Sequence, residues 1–203
     1  IFTTYSRYQG ETCVIPTSGI NETGFEIKKE YQNTNLKIIM ATRLIKDKGV
    51  YEYLELAKLM KDSVFEFYLA GDIDEGNPDS LSKSDLDKIK SDNFIKYLGN
   101  IDIKKELCNY DINIVMSKYE GSSRILLESL YIGLICLSNS IPGTTEFTSN
   151  FDNLIFIEKN NIKEFRKKLE EISNSNIFFD SEHEKYFGHR SNSNRELIKE
   201  NYT

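Results

Sequence analysis

The chain has 203 residues, of which 39% are hydrophobic, 12% aromatic and 29% charged, a composition that excludes collagenous, low-complexity and disordered classes. Its net charge of −6 argues against a generic nucleic-acid or anionic-membrane surface, so an anionic ligand has to meet a local basic cluster. No apolar run approaches the roughly 18 residues that a membrane helix needs.

The 3 cysteines, Cys13, Cys108 and Cys136, show neither CxxC nor Cys/His spacing. That excludes a zinc knuckle, argues against a disulfide framework and fits a reducing cytosol. Both histidines, His183 and His189, lie near the C-terminus, which excludes a histidine triad or histidine metal site in the main body. The chain opens at Ile1, and residues 1–35 are irregular and turn-rich. They are expected to be a linker from an N-terminal domain of a longer protein.

From Leu36 the pattern becomes regular. Leu36 to Ala41 reads as a buried strand. Val50 to Met60 places Val50, Tyr53, Leu54, Leu56, Ala57 and Met60 at helical spacing. Val64 to Ala70 is the next strand, followed by a polar loop with Gly76, Asn77 and Pro78. Leu81 to Ile89 reads as a polar helix, Phe94 to Leu98 as a strand ended by Gly99-Asn100, and Ile103 to Tyr110 as a helix. Ile112 to Met116 is a strand, and Arg124 to Ile132 is a helix stopped by Gly133. Leu134 to Leu137 and Leu154 to Ile157 are strands, and Ile162 to Ile172 is a helix. Strands alternating with helices predict an α/β, doubly wound parallel sheet of Rossmann-like type over residues 36–173, with 174–203 as a helical tail. In such sheets ligands bind at the carboxyl ends of the strands.

Arg43 and Lys48 flank the turn after the first strand, and Gly49 opens the following helix. A planar fork, a point charge and a helix N-terminus suit a pyrophosphate. A solvated basic turn is the plainer alternative, and a P-loop is excluded because GxxxxGK[ST] is absent. After the strand at Ile112 come Glu120, Gly121, Ser122 and Ser123, then Glu128 amid Leu126, Leu127 and Leu130. Ser122 or Ser123 suits the N-cap, and the glycine lets a ligand approach the backbone. A carboxylate on an apolar stretch needs a partner, either ribose hydroxyls or a salt bridge to Arg43 or Lys48. Pro142-Gly143 reads as a turn before a short helix. Asp72-Ile73-Asp74 matches a metal-binding DxD but in an acidic chain reads first as a loop.

Taken together these segments resemble the C-terminal, donor-binding half of a GT-B glycosyltransferase of the retaining family 4 (group 1) type. The stretches that carry the resemblance are Ile15-Pro16-Thr17-Ser18-Gly19-Ile20-Asn21 with Phe25, Ala41-Thr42-Arg43 to Lys48-Gly49, the E-x7-E of Glu120 and Glu128, and Pro142-Gly143-Thr144-Thr145-Glu146. The wording is most similar to bacterial enzymes that build surface polysaccharide or O-antigen. The sequence departs from the family at Thr42, usually Gly, and at Ser122-Ser123, usually a bulky residue and Pro.

The resemblance implies that Arg43 and Lys48 neutralise the donor diphosphate. It implies that Glu120 bonds the donor sugar's hydroxyls and that Glu128 holds the ribose diol. Gly121, Ser122, Ser123, Arg124 and Ile125 would bind phosphates, and Gly99, Asn100 and Ile101 would pack near the base. The implied reaction is retaining transfer from a nucleotide sugar, a UDP-sugar, with no metal or other cofactor. The acceptor, a glycan or undecaprenyl-linked glycan, would be held by the N-terminal domain, so this chain alone is expected to be inactive. A cytoplasmic protein, peripheral at the inner membrane face and without nucleic-acid partners, is the expectation. The alternatives are another GT-B enzyme, such as a UDP-sugar 2-epimerase or glycogen-type synthase, and a non-catalytic α/β nucleotide-binding module.

Overall fold

A computed structural model describes residues 19–26, 35–145, 151–158, 161–175 and 192–199. The expectations for Ile15 to Ser18, for Glu146 and for most of the tail, including both histidines, lie outside the described residues. Six strands form a single parallel sheet: β1 (Leu36–Ala41), β2 (Phe65–Ala70), β3 (Lys96–Gly99), β4 (Ile112–Val115), β5 (Ile135–Asn139) and β6 (Leu154–Ile157). Their spatial order is β3-β2-β1-β4-β5-β6. The helices are α1 (Val50–Leu59), α2 (Lys83–Ser91), α3 (Ile103–Glu106), α4 (Arg124–Ile132), α5 (Pro142–Thr145), α6 (Ile162–Asn174) and α7 (192–199).

The pleat of β1 divides the core. Ile38 and Met40 join one apolar cluster with Tyr53 and Leu56 of α1, Ile89 of α2 and Phe165 and Leu169 of α6. Ile39 joins the other, with Leu126, Leu127 and Leu130 of α4 and Ile198 of α7. Both faces are therefore covered, which is why β1 and β4 read as continuous apolar runs. Each fully buried side chain of this size contributes about 1.5–3 kcal/mol. The Tyr53 hydroxyl donates to Tyr68 O at 2.9 Å, so the one polar atom of that ring is satisfied inside the core.

Several boundaries differ from the sequence reading by one or two residues, and two of the differences have a visible cause. The expected helix Ile103 to Tyr110 ends as an α-helix at Glu106 and closes as a 3-10 turn, Leu107–Asn109. The chain must tighten there because Asp111 N already donates to Lys37 O, at 2.9 Å, beside β1. The second helix starts later than Leu81, at Lys83, because Ser82 and Asp85 form a reciprocal capping box.

The strand order reverses between β1 and β4, which are both central and paired through Ile38↔Ile112 and Ile39↔Asn113. A crevice at the carboxyl ends of these two strands is the natural ligand position of a doubly wound sheet. The loops carrying Arg43, Lys48 and Glu120 follow these two strands, and Glu128 lies on α4, which follows β4.

Candidate active site

The loop after β1 turns through a 3-10 element, Lys46–Lys48, and enters α1 at Gly49. Gly49 has φ 75°, and a Cβ on it would lie 2.4 Å from Met116 O, so only glycine lets this turn press against the end of β4. That close approach brings Lys48 Nζ to 2.7 Å from Glu120 Oε1. The Ser117 hydroxyl donates to the same oxygen at 2.6 Å. The side chains of Lys48 and Glu120 are only 15% and 13% exposed, so the pair is poorly screened by water.

Several contacts brace Glu120. Lys118 N donates to Asp47 O at 2.7 Å, and Lys118 Nζ pairs with Glu52 of α1 at 2.9 Å. The contact with Glu52 pushes the Lys118 pKa up. Buried Asn139, at the end of β5, donates to Met116 O at 2.8 Å. Gly143 packs so tightly that a Cβ there would lie 2.0 Å from Glu120 O. The Pro142-Gly143 pattern, which the sequence left as simple turn chemistry, thus positions the first glutamate. Its signal was the glycine itself, but what it abuts is not visible in one dimension.

A cavity of about 530 Å³ is lined by Arg43, Asn100, Ile101, Arg124, Ile125 and Glu128, together with Gly71, Asp72 and Asp74. Arg43 Nη1 pairs with Asp74 Oδ2 at 2.7 Å, with the arginine side chain 63% exposed. Solvent screens that pair, and its contribution to stability is small. Glu128 is 9% exposed, and its nearest cation is Arg124, one helical turn earlier, at 3.8 Å. The salt bridge to Arg43 or Lys48 that the sequence left open is therefore not the arrangement found. Burial pushes the Glu128 pKa up, and the charges of Arg124 and Lys104 pull it partly back.

The predicted residues thus fall into two groups. Lys48 and Glu120 form a direct pair. Arg43, Asn100, Ile101, Arg124, Ile125 and Glu128 share the cavity. Gly99 ends β3 and accepts from Gly71 N at 2.7 Å, underpinning the cavity wall without being among the lining residues. Gly121 and Ser122 lie in the loop between the two glutamates, and Ser123 takes the N-cap position of α4. Ser123 is 2% exposed, and its hydroxyl neither caps the helix nor has a hydrogen-bond partner. Of the DxD residues, Asp74 is engaged by Arg43, and Asp72 accepts from Ile73 N at 2.8 Å. Among the described residues no group of three or more His, Cys, Asp or Glu gathers as a metal cage. Sequence reasoning missed Ser117, which bonds Glu120 three residues on, and Asn139, whose partner Met116 is distant in the chain; it named Asp74 in the DxD but not as the partner of Arg43.

A parallel sheet of this order, with a crevice at the β1/β4 switch point, is a Rossmann-like α/β domain, and the fold is shared with GT-B glycosyltransferases. The chain belongs to the family described as glycosyl transferases group 1, which it matches over residues 23–193. It is 30% identical over 174 residues to a Campylobacter jejuni protein, N,N'-diacetylbacillosaminyl-diphospho-undecaprenol alpha-1,3-N-acetylgalactosaminyltransferase. That alignment covers 79% of this chain and 45% of the relative, so the chain spans less than half of that protein's length. Among solved structures, a mutant of S. aureus TarM is similar at 20% identity and TM-score 0.68, over 89% of this chain and 35% of that one. HepE from Anabaena in complex with UDP-glucose is similar at 18% identity and TM-score 0.63, over 83% and 45%. At these identities the structural likeness shows the fold. Among the described residues no helix is long and apolar enough to cross a membrane.

Proposed function

We propose that this chain is the donor-binding half of a retaining glycosyltransferase. The donor is a UDP-sugar, and the acceptor is a hydroxyl of a lipid-linked glycan in bacterial surface-polysaccharide assembly. The observation that carries this reading is that the Arg43/Glu128 cavity and the buried Lys48–Glu120 pair are both built from the segments that follow β1 and β4. The donor class is supported by the HepE complex with UDP-glucose, and the acceptor class by the lipid-linked glycan in the Campylobacter relative's name.

In this reading Glu128 accepts from the ribose diol, and Asn100 and Ile101 pack beside the base. Arg43 and Lys48 take the diphosphate, with Gly121, Ser122, Ser123, Arg124 and Ile125 offering a helix N-terminus to it. Glu120 accepts from hydroxyls of the donor sugar. As the bond from the anomeric carbon to the diphosphate oxygen breaks, negative charge grows on the departing nucleotide where the cations already stand. The acceptor oxygen bonds to the same face of that carbon, and its proton leaves with the diphosphate. Covalently held cations do the work of a metal, so no cofactor is required.

The acceptor pocket belongs to a second domain outside this chain, and binding a lipid-linked acceptor would bring the assembled enzyme to the cytoplasmic membrane face. Calorimetric titration of the chain with UDP-, GDP- and ADP-sugars tests the donor assignment. Saturable binding of a UDP-sugar, lost in Glu128→Ala, is expected. Binding of none of the three refutes it. The two-domain protein should transfer sugar in the presence of a chelator while the 203-residue chain alone does not; strict dependence on a divalent metal would return Asp72 and Asp74 to the mechanism.

A further inference from the structure

The second aspartate of Asp72-Ile73-Asp74 is the partner of Arg43. Arg43 Nη1 lies 2.7 Å from Asp74 Oδ2, and both residues line the donor cavity. The two loops that carry them are joined by backbone hydrogen bonds. Thr42 N donates to Ala70 O at 2.9 Å, Leu44 N to Asp72 O at 2.9 Å, Lys46 N to Asp79 O at 2.9 Å and Leu81 N to Leu44 O at 2.8 Å. Gly71, with φ 131°, comes so close that a Cβ on it would lie 1.7 Å from Thr42 O. Asp74 is fixed within its own loop as well. Its N–H donates to Ser80 Oγ at 3.0 Å, and its carbonyl accepts from Asn77 N at 3.0 Å. Asp72, by contrast, turns its Oδ1 to Ile73 N, at 2.8 Å.

An ion pair whose arginine is 63% exposed adds little to stability, so stability does not account for this platform. Arginine is a long, rotamer-rich side chain. Unanchored at that exposure it spreads over many positions, and that freedom is lost when it closes on a ligand. The Asp74 carboxylate, held by its own loop, restricts the guanidinium before any ligand arrives. The contact engages one of the five N–H donors of the guanidinium, so the fork can still meet phosphate oxygens. The same carboxylate repels an incoming anion, which weakens ground-state binding without displacing the cation that meets the leaving nucleotide's growing charge. We infer that Asp74 is a positioning residue for Arg43: it aims the guanidinium at the diphosphate and raises the rate of transfer rather than the affinity for the donor. The inference rests on the reading of Arg43 as the group that acts on the departing diphosphate. It gives the second aspartate of the DxD a task that involves no metal.

The test takes Asp74→Ala and Arg43→Ala singly and together. Steady-state kinetics of the two-domain protein with a UDP-sugar give kcat, and calorimetry of the 203-residue chain with UDP gives affinity. Asp74→Ala should lower kcat about 10-fold while UDP binds as tightly as before or more tightly. In the Arg43→Ala background the same substitution should change kcat by less than about 2-fold, because no guanidinium remains to be positioned. Added Mn²⁺ or a chelator should alter neither result. Equal losses of kcat and UDP affinity would make Asp74 a structural member of its loop and overturn the inference. So would an undiminished effect in the Arg43→Ala background. Tighter UDP binding with kcat unchanged would make Asp74 only a competitor for the cation, and a loss of kcat seen only with Mn²⁺ present would make it a metal ligand; either result overturns the inference. Failure of the unsubstituted chain to bind UDP is a different result: it removes the diphosphate assignment itself and the inference with it.

Discussion

Gly143→Ala separates the two halves of the proposed site. A Cβ at Gly143 would lie 2.0 Å from Glu120 O, 2.4 Å from Glu120 C and 2.9 Å from Glu120 Cβ. Two of these atoms are backbone, so no rotamer change relieves the clash. Either the Glu120 loop or α5 has to retreat by about 1 Å, at a cost of about 1–3 kcal/mol. The Lys48–Glu120 contact at 2.7 Å and the Ser117 bond at 2.6 Å both depend on that backbone position. A misplacement of about 1 Å at a reacting centre costs on the order of 100-fold in rate. The cavity that holds Arg43 and Glu128 does not include Glu120 among its lining residues. The expected outcome is therefore asymmetric: nucleotide affinity of the chain, measured by calorimetry, changes little, whereas turnover of the two-domain protein falls by about two orders of magnitude. Undiminished turnover in Gly143→Ala would refute the role given to Glu120, as would a loss confined to nucleotide affinity.

Arg43→Ala should lower kcat by on the order of 100-fold and raise KM less, because the guanidinium acts on charge that develops as the nucleotide leaves; steady-state kinetics showing only a raised KM would contradict this. Glu128→Gln should weaken nucleotide binding yet melt at a higher temperature than the unsubstituted chain at neutral pH. The folded state raises the Glu128 pKa, so the ionised carboxylate subtracts from stability above that pKa, and the penalty fades as pH falls through it. The melting difference should accordingly shrink on acidification. Asn139→Ala removes the donor to two buried carbonyls, Met116 O and Ser117 O, and should cost about 1–3 kcal/mol in urea unfolding; a neutral effect would mean that water replaces the amide.

The sheet was legible because its signals are local. The apolar run of β1, the helical spacing of α1 and the Gly133 stop of α4 each lie within one short window, and all appear where expected. Their alternation then dictates a parallel sheet, and the parallel sheet dictates which loops share a crevice. That is how the Arg43–Lys48 turn and the two glutamates were expected to follow strands that share one crevice, although the direct contact of Lys48 with Glu120, 72 positions apart, was not itself expected. What stayed hidden was the choice among nearby partners. Arg43 binds Asp74 rather than Glu128, and Glu128 leans on its own helix through Arg124. Such choices turn on ångström differences between loops, and nothing in residue type ranks them. The same holds for Gly143, whose importance lies wholly in the long-range neighbour it meets.

The Lys48–Glu120 pair also has a bearing on which anions the crevice accepts. Lys48 is neutralised internally by a carboxylate that shares its shelter from solvent. A small visitor such as inorganic phosphate must contend with that resident negative charge and offers nothing to occupy the glutamate in return. A molecule bearing a diphosphate for the lysine and hydroxyl protons for the glutamate can satisfy both at once. The pair would then act as a filter, rejecting ligands that bring only charge.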